Sequence, residues 1–173
     1  MKALLALLIA LFCAPAQADE FVGLLVGPSI VNHGVGLRVN FGFETAGKLD
    51  PHWSLGFLVN FESLGTAISA TTDSATLTSF LGGVTYHGWE NNRGPWVGLR
   101  AGIGVLNNAH SVAGAGSVGG SANEFAYGLA IGYDKELGQE WTWGPQGQVL
   151  LVNAPGGNLQ VYNILVTIRY WPD

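Results

Sequence analysis

The chain has 173 residues, of which 48% are hydrophobic and only 11% are charged, and its net charge is −5 at pH 7. This acidic balance argues against nucleic acid as a partner, because binding phosphates requires clustered Lys and Arg. The 26 glycines argue against long helices, since each costs about 1 kcal/mol in a helix interior. After the N-terminal segment, no stretch approaches the roughly 18 continuous apolar residues of a transmembrane helix.

Residues 1–18 are predicted to be a cleaved secretory signal peptide. Lys2 supplies a positive start and residues 3–12 form a short apolar run. Ala16 and Ala18 then form an A-x-A cleavage site. Residues 19–173 are predicted to form a single mature domain, whose fold the alternation described below indicates.

The only cysteine offers a different interpretation of this leader. Cys13 could carry a lipoprotein anchor, but the bulky Phe12 stands where such a signal needs a small residue. Cleavage after Ala18 removes Cys13, so the mature chain is expected to form no disulfide.

Eight segments after the leader alternate between apolar and polar residues with the period of two that is typical of β-strands. Each is about 9–13 residues long, which is enough to cross a bilayer as a tilted strand. The predicted strands are residues 21–29, 34–43, 53–62, 77–86, 96–106, 124–133, 141–152 and 159–171. In the seventh, Pro145 lacks a ladder donor and suggests a bulge or a strand start.

The last strand carries the clearest pattern. One face is aromatic at both ends and aliphatic between them, and it consists of Tyr162, Ile164, Val166, Ile168 and Tyr170. The opposite face carries Asn163, Thr167 and Arg169, with Leu165 among them. Aromatic rings at both borders of an apolar band indicate a strand that crosses a bilayer, with the other face towards a polar lumen.

The direction of the alternation separates a membrane barrel from a water-soluble eight-stranded barrel. The faces rich in Phe, Trp and Tyr are nearly uncharged and would overfill a narrow interior, so we expect them to face lipid. The charged residues on the other faces are expected to pair within the lumen, as a structural plug or as a gate. The predicted lumen charge network comprises Arg38, Glu62, Arg100, Glu124 and Arg169.

Aromatic residues cluster near the predicted membrane borders, where their usual role is anchoring. The predicted interface aromatics are Trp53, Tyr86, Trp96, Tyr133, Trp141, Tyr162, Tyr170 and Trp171.

An even number of strands places both termini on the same, periplasmic side. The predicted periplasmic turns are residues 44–52, 87–95 and 134–140, which hold Pro, Gly and most of the charges outside the lumen. The predicted external loops are residues 30–33, 64–76, 107–123 and 153–158. The second and third of these loops are long and rich in Ser, Thr, Ala and Gly, a composition that favours mobile tips.

With eight alternating strands, aromatic borders and a terminal amphipathic strand, the chain resembles the small outer-membrane barrels of the OmpX and OmpW families and the transmembrane domain of OmpA. This resemblance implies an all-β fold, an eight-stranded antiparallel up-and-down transmembrane barrel in the bacterial outer membrane. The implied partners are outer-membrane lipids, lipopolysaccharide and the barrel assembly machinery, which would read the C-terminal strand. The chain departs from the pattern in that Trp171 is followed by Pro172 and Asp173 rather than ending the sequence.

The enzymatic alternative depends on a Ser–His–acid arrangement at the membrane edge. His110 and Ser111 are adjacent in a predicted external loop, with Asp73 and Glu124 as possible acids, but the longer pattern expected of a lipid A deacylase is missing. No metal site is predicted from the histidines, because His87 lies in a predicted turn opposite the loops that hold His33 and His110.

The sequence therefore predicts a monomeric, non-catalytic barrel with a structural or interaction role and no cofactor. The glycine-rich lumen faces support an alternative function. In that alternative the barrel is a narrow pore, or it binds small apolar or amphipathic solutes. A lipid A-modifying acyl hydrolase is the third alternative.

Overall fold

The computed structural model describes residues 20–31, 34–63, 72–90, 93–112, 116–154 and 157–172. The predicted signal peptide, its cleavage site at Ala16 and Ala18, and Cys13 lie outside these residues. Within the described ranges, no helix is long and apolar enough to span a membrane.

Eight antiparallel strands form one closed barrel in which each strand pairs with its neighbours in the sequence. The strands are β1 (Glu20–Val31), β2 (Gly34–Lys48), β3 (Trp53–Ser63), β4 (Thr72–His87), β5 (Gly94–Val112), β6 (Gly116–Glu136), β7 (Trp141–Ala154) and β8 (Gly157–Tyr170). Closure is made by β1 and β8, which pair from Val22 with Tyr170 to Val31 with Val161. The predicted eight-stranded up-and-down architecture is confirmed.

Side chains alternate between the inside and the outside of this barrel as predicted. In β8, Ile164 and Ile168 point outward and are exposed, whereas Thr167 and Arg169 point inward and are buried. The outward band is apolar all round the barrel: Leu99 is 61% exposed and Ile164 66%. Because apolar surface of this extent is unfavourable in water, the exterior is suited to a hydrocarbon surrounding.

The interior differs from the polar, glycine-thinned lumen that the sequence predicts. Leucines fill much of it, and they form a core cluster in which each is at most 2% exposed: Leu25, Leu58, Leu77, Leu81, Leu150 and Leu165. The leucines share interior-facing positions with the polar residues, so the interior is a mixed, packed core. A packed core of this kind is what an eight-stranded barrel has room for.

Each strand has more residues than predicted, and several extend further at both ends, which corrects the predicted turns and loops. Most of the predicted loop 107–123 continues β5 and β6, whose ladder runs to the pair Val112 and Gly116. The predicted turn 44–52 contains the end of β2, which reaches Lys48. Alternating segments of small residues had been assigned to loops because Ser, Thr and Gly are also the residues of turns.

Among the described residues, three strands extend furthest at the loop end. β4 residues 72–75 pair with β5, and β5 residues 107–112 pair with β6. Within the described ranges, pairing of β6 with β7 begins at Ala126, so β6 residues 116–125 continue past the last residue paired with β7. We call these three segments (72–75, 107–112 and 116–125) the flap.

Pro145 neither starts a strand nor makes a bulge. It lies within β7 and pairs with Val166 of β8. On the other side of β7, the ladder to β6 is interrupted. The pair of Gly132 and Gln146 is followed directly by the pair of Lys135 and Trp143, in the same register. The missing N–H of proline therefore interrupts the ladder without shifting it.

Candidate functional site

The densest chemistry in the barrel is a buried ionic cluster in the half nearer the turns. Glu44 of β2 is 3% exposed and accepts hydrogen bonds from two arginines. Arg169 Nε donates to Glu44 Oε1 at 2.6 Å, and Arg100 Nη2 donates to Glu44 Oε2 at 3.2 Å. Arg169 also forms an ion pair with Asp134 through Nη1. Two carboxylates thus balance two guanidinium groups, as buried charges require.

Two aromatic rings enclose the guanidinium of Arg169. Its Cζ lies 4.8 Å from the centre of the Trp96 ring and 5.1 Å from that of Phe21. Both distances suit cation–π contacts. The rings therefore hold the arginine between them on the interior side of the wall.

The prediction that Trp96 lies at the membrane interface is wrong. Trp96 is 4% exposed, and its ring occupies the space beside Gly132, where an added β-carbon would overlap it. The alternation could have revealed this position, because Trp96 shares its face with Gly98 and Arg100. Aromatic character alone favours an interface position, but the alternation places Trp96 inside.

A second polar layer crosses the half of the barrel nearer the loops. Glu62 Oε1 accepts hydrogen bonds from Asn40 Nδ2 at 2.7 Å and from Asn163 Nδ2 at 2.8 Å. Asn60 and Gln148 span the interior in the same layer, with Asn60 Nδ2 donating to Gln148 Oε1 at 3.4 Å. Glu62 thus joins β2, β3 and β8 across the lumen.

The predicted lumen network is only partly assembled as expected. Arg100 and Arg169 meet through Glu44, whereas Glu62 lies in the separate amide layer. Glu124 is half-buried on the interior-facing side of β6, and the side chain of Arg38 lies outside the described part of the chain.

The two carboxylates that complete the ionic cluster are missing from the predicted network. The sequence predicts both Glu44 and Asp134 in periplasmic turns (44–52 and 134–140). Both continue the interior-facing alternation of their strands, Glu44 after Asn40 and Gly42, and Asp134 after Ala130 and Gly132. Extending the alternation by one residue beyond each predicted strand would have found them.

Most other predicted interface aromatics lie on the outer surface, and their anchoring role remains a prediction. The exposed ones are Trp53, Tyr86, Tyr133, Trp141 and Tyr162. Tyr170 and Trp171 are half-buried, and Trp171 Nε1 donates a hydrogen bond to Thr142 Oγ1 at 3.0 Å.

The residues of the enzymatic alternative lie in the flap. The backbone register places Asp73 opposite His110 and Thr72 opposite Ser111, but these side chains are outside the described part of the structure. Of the metal candidates, His87 is buried, and its Nε2 lies 3.1 Å from Ser54 Oγ. Among the described residues, no group of three His, Cys, Asp or Glu could hold a metal ion.

Replacing Glu62 with alanine is expected to lower the free energy of unfolding by about 1–3 kcal/mol for each amide left without its acceptor. Glu62→Gln keeps an acceptor oxygen in reach of Asn40 and Asn163, so it should cost much less. Urea unfolding of the refolded barrel in phospholipid vesicles measures both changes. Equal losses in the two variants would show that the negative charge, rather than the acceptor geometry, holds the layer together.

A closed eight-stranded meander with an apolar exterior and charges inside defines the class of the small outer-membrane barrels. Solved structures of that class match this chain. Ail, the attachment invasion locus protein of Yersinia pestis, superimposes with a TM-score of 0.67 at 12% identity, covering 90% of this chain and 100% of Ail. Neisserial surface protein A superimposes with a TM-score of 0.65 at 9% identity, and the match covers 88% of this chain and 96% of the Neisserial chain.

The N-terminal β-barrel domain of OprF from Pseudomonas aeruginosa gives a TM-score of 0.60 at 10% identity, covering 89% of this chain and 100% of the domain. No protein family profile matches the sequence, and no curated protein matches it. At these identities the likeness establishes the fold, which is that of the small outer-membrane barrels.

Proposed function

We propose that this protein is a monomeric, non-catalytic barrel of the bacterial outer membrane whose flap binds an extended polypeptide outside the cell. The observation that carries the proposal is the flap itself, which continues three strands past the rim of a packed barrel. The apolar exterior and the fold shared with outer-membrane proteins support the location.

The free edge of β6 is the feature best suited to binding. Within the described residues, no strand pairs with the β7-facing side of residues 116–125, a length of about 30 Å at 3.3 Å per residue. Its backbone N–H and C=O groups can accept another strand. Exposed edges are normally protected by Lys, Pro or a bulge. This segment, Gly-Ser-Val-Gly-Gly-Ser-Ala-Asn-Glu-Phe, contains no Lys or Pro, and its one charged residue is Glu124 near its end.

The chemistry of the flap selects among possible partners. Residues 107–125 contain no Lys or Arg and one histidine, so they offer no permanent positive charge to a sulfated or phosphorylated polymer. Ail has been solved with a heparin analogue, but the flap of this chain lacks the charge for such a ligand. Main-chain pairing with an extended polypeptide requires no charge, and it therefore fits this surface better.

The narrow-pore alternative is not favoured by the interior. Water in a continuous channel would expose the side chains that line it, whereas Leu77, Leu81 and Leu150 are each 0% exposed. A cavity of about 20 Å³ between Phe21, Glu44 and Leu58 has room for a water molecule rather than a path. We therefore assign the barrel an anchoring role and the flap an interaction role.

Shortening the flap tests this proposal. Asn108 and Gly120 face each other in the ladder, so replacing residues 109–119 by an Asn-Gly turn shortens the hairpin and leaves the barrel wall untouched. The probe is a fluorescent ten-residue peptide of alternating Thr and Val, added to the refolded protein in micelles. Anisotropy should rise with wild type, and binding should fall about tenfold or more with the shortened variant.

The heat-dependent gel shift of an intact barrel serves as the control for folding. The two proteins should shift equally, so that a loss of binding reports on the flap alone. Equal peptide binding by wild type and the shortened variant would refute the role of the flap edge, and binding by neither protein would refute it as well.

A further inference from the structure

A groove at the other end of the barrel, between the β4–β5 and β6–β7 connections, plays no part in the flap's proposed role. Its volume is about 620 Å³, and Trp89, Arg93 and residues 133–139 line it. Trp89 is 51% exposed, and the side chain of Leu137 is also largely exposed. The groove is open to its surroundings over much of its surface, so a ligand would lie against it rather than be enclosed.

The groove is braced by contacts between the two connections. Arg93 Nη1 pairs with Glu136 Oε2 at 2.9 Å, joining the β4–β5 connection to the last residue of β6. Trp89 packs over Gly94, whose φ of +88° suits glycine and where a β-carbon would overlap the indole. The edge of Trp89 meets Tyr133, with ring centres 6.1 Å apart and planes at 81°. The aromatic wall is therefore held in place from two sides.

Of the charged residues that line the groove, Lys135 is the one that takes part in neither ion pair described here. Arg93 is matched by Glu136, and Asp134 points inward, where it pairs with Arg169. Lys135 points outward, opposite Trp143 in the β6–β7 ladder and two residues from Tyr133. It therefore lies beside exposed aromatic rings on the lipid-facing surface, at the level where aromatic belts meet headgroups.

We infer that this groove binds the phosphodiester headgroup of a glycerophospholipid from the adjoining leaflet. Lys135 takes the phosphate as a point charge, with Arg93 adjacent, and Trp89 and Tyr133 pack against the glycerol and the first methylenes. Lipid is chosen over a soluble phosphate because the cation and the rings share the outward face. The inference rests on the proposed membrane location, but it is independent of the flap.

Native mass spectrometry of the refolded protein tests the inference. The probes are dioleoylphosphatidylglycerol and dioleoylphosphatidylethanolamine, each added to detergent micelles. Wild type should retain one phospholipid, and Lys135→Gln should weaken its retention about tenfold, the effect of one charge-assisted hydrogen bond. Trp89→Ala should weaken it as well, through loss of the aromatic wall.

Lys48→Gln is the matched control, because Lys48 ends β2 at the same end of the barrel but contacts the carbonyl of Glu90 instead. It should retain lipid as wild type does. If Lys48→Gln and Lys135→Gln weaken lipid retention equally, retention depends on overall positive charge and not on this groove, and the inference is overturned. Unchanged retention in Lys135→Gln and Trp89→Ala would overturn it too, while the gel shift and the peptide assay would still report separately on barrel and flap.

Discussion

Replacing Glu44 with alanine is expected to lower the free energy of unfolding by about 3–5 kcal/mol, the usual cost of breaking a buried ion pair from one side. Glu44 is the shared acceptor of Arg100 and Arg169. Its loss removes the carboxylate that contacts buried Arg100 and leaves Arg169 paired with Asp134. The measurement is urea unfolding in phospholipid vesicles, followed by tryptophan fluorescence.

Comparing Glu44→Ala with Glu44→Gln separates the effect of losing the negative charge from the effect of losing side-chain volume. Glu44→Gln preserves the shape and one acceptor oxygen but removes the charge, and we expect it to lose most of the same stability. Arg100→Met in the Glu44→Gln background removes one uncompensated cation and should restore part of the loss, as apolar replacement of buried ions often does. If Glu44→Ala unfolds at the wild-type urea concentration, the cluster does not hold the barrel together.

The fold could be predicted from the sequence because strand alternation is a local signal. The outward positions of Val166 and Ile168 and the inward position of Arg169 follow from a period of exactly two residues. The ends of strands are less visible, because the same small residues serve in turns and in extended hairpins. This is why the flap was assigned to a loop.

The partners inside the barrel could not be derived in the same way. Glu62 meets Asn163 across the lumen, and Arg169 meets Glu44 across the closing seam. Which inward residues share a level depends on the stagger of all eight strands, which is a property of the whole barrel. Alternation could indicate that Arg100 faces inward, but not that Glu44 is its partner.

Replacing Gly27 with alanine is expected to weaken the seam that closes the barrel. A β-carbon at residue 27 would overlap the carbonyl oxygen of Ile164 and lie 2.9 Å from the Cα of Leu165, both in the backbone of β8. Backbone cannot rotate aside as a side chain does, so β1 and β8 must separate locally. The seam already lacks ladder pairs between Val26 and Ser29, where Pro28 has no N–H to donate.

We expect Gly27→Ala to lose about 1–3 kcal/mol, the typical cost of overpacking, and to unfold at a lower temperature in the gel-shift assay. Gly82→Ala is the matched control in β4, because a β-carbon there would meet only the carbonyl oxygen of Ala101 at 4.0 Å. That change should be neutral or slightly stabilising, since alanine restricts the unfolded chain. Equal melting of the two variants would mean that the β1–β8 seam can widen without cost, and that closure depends on the ionic cluster around Arg169 rather than on backbone contact.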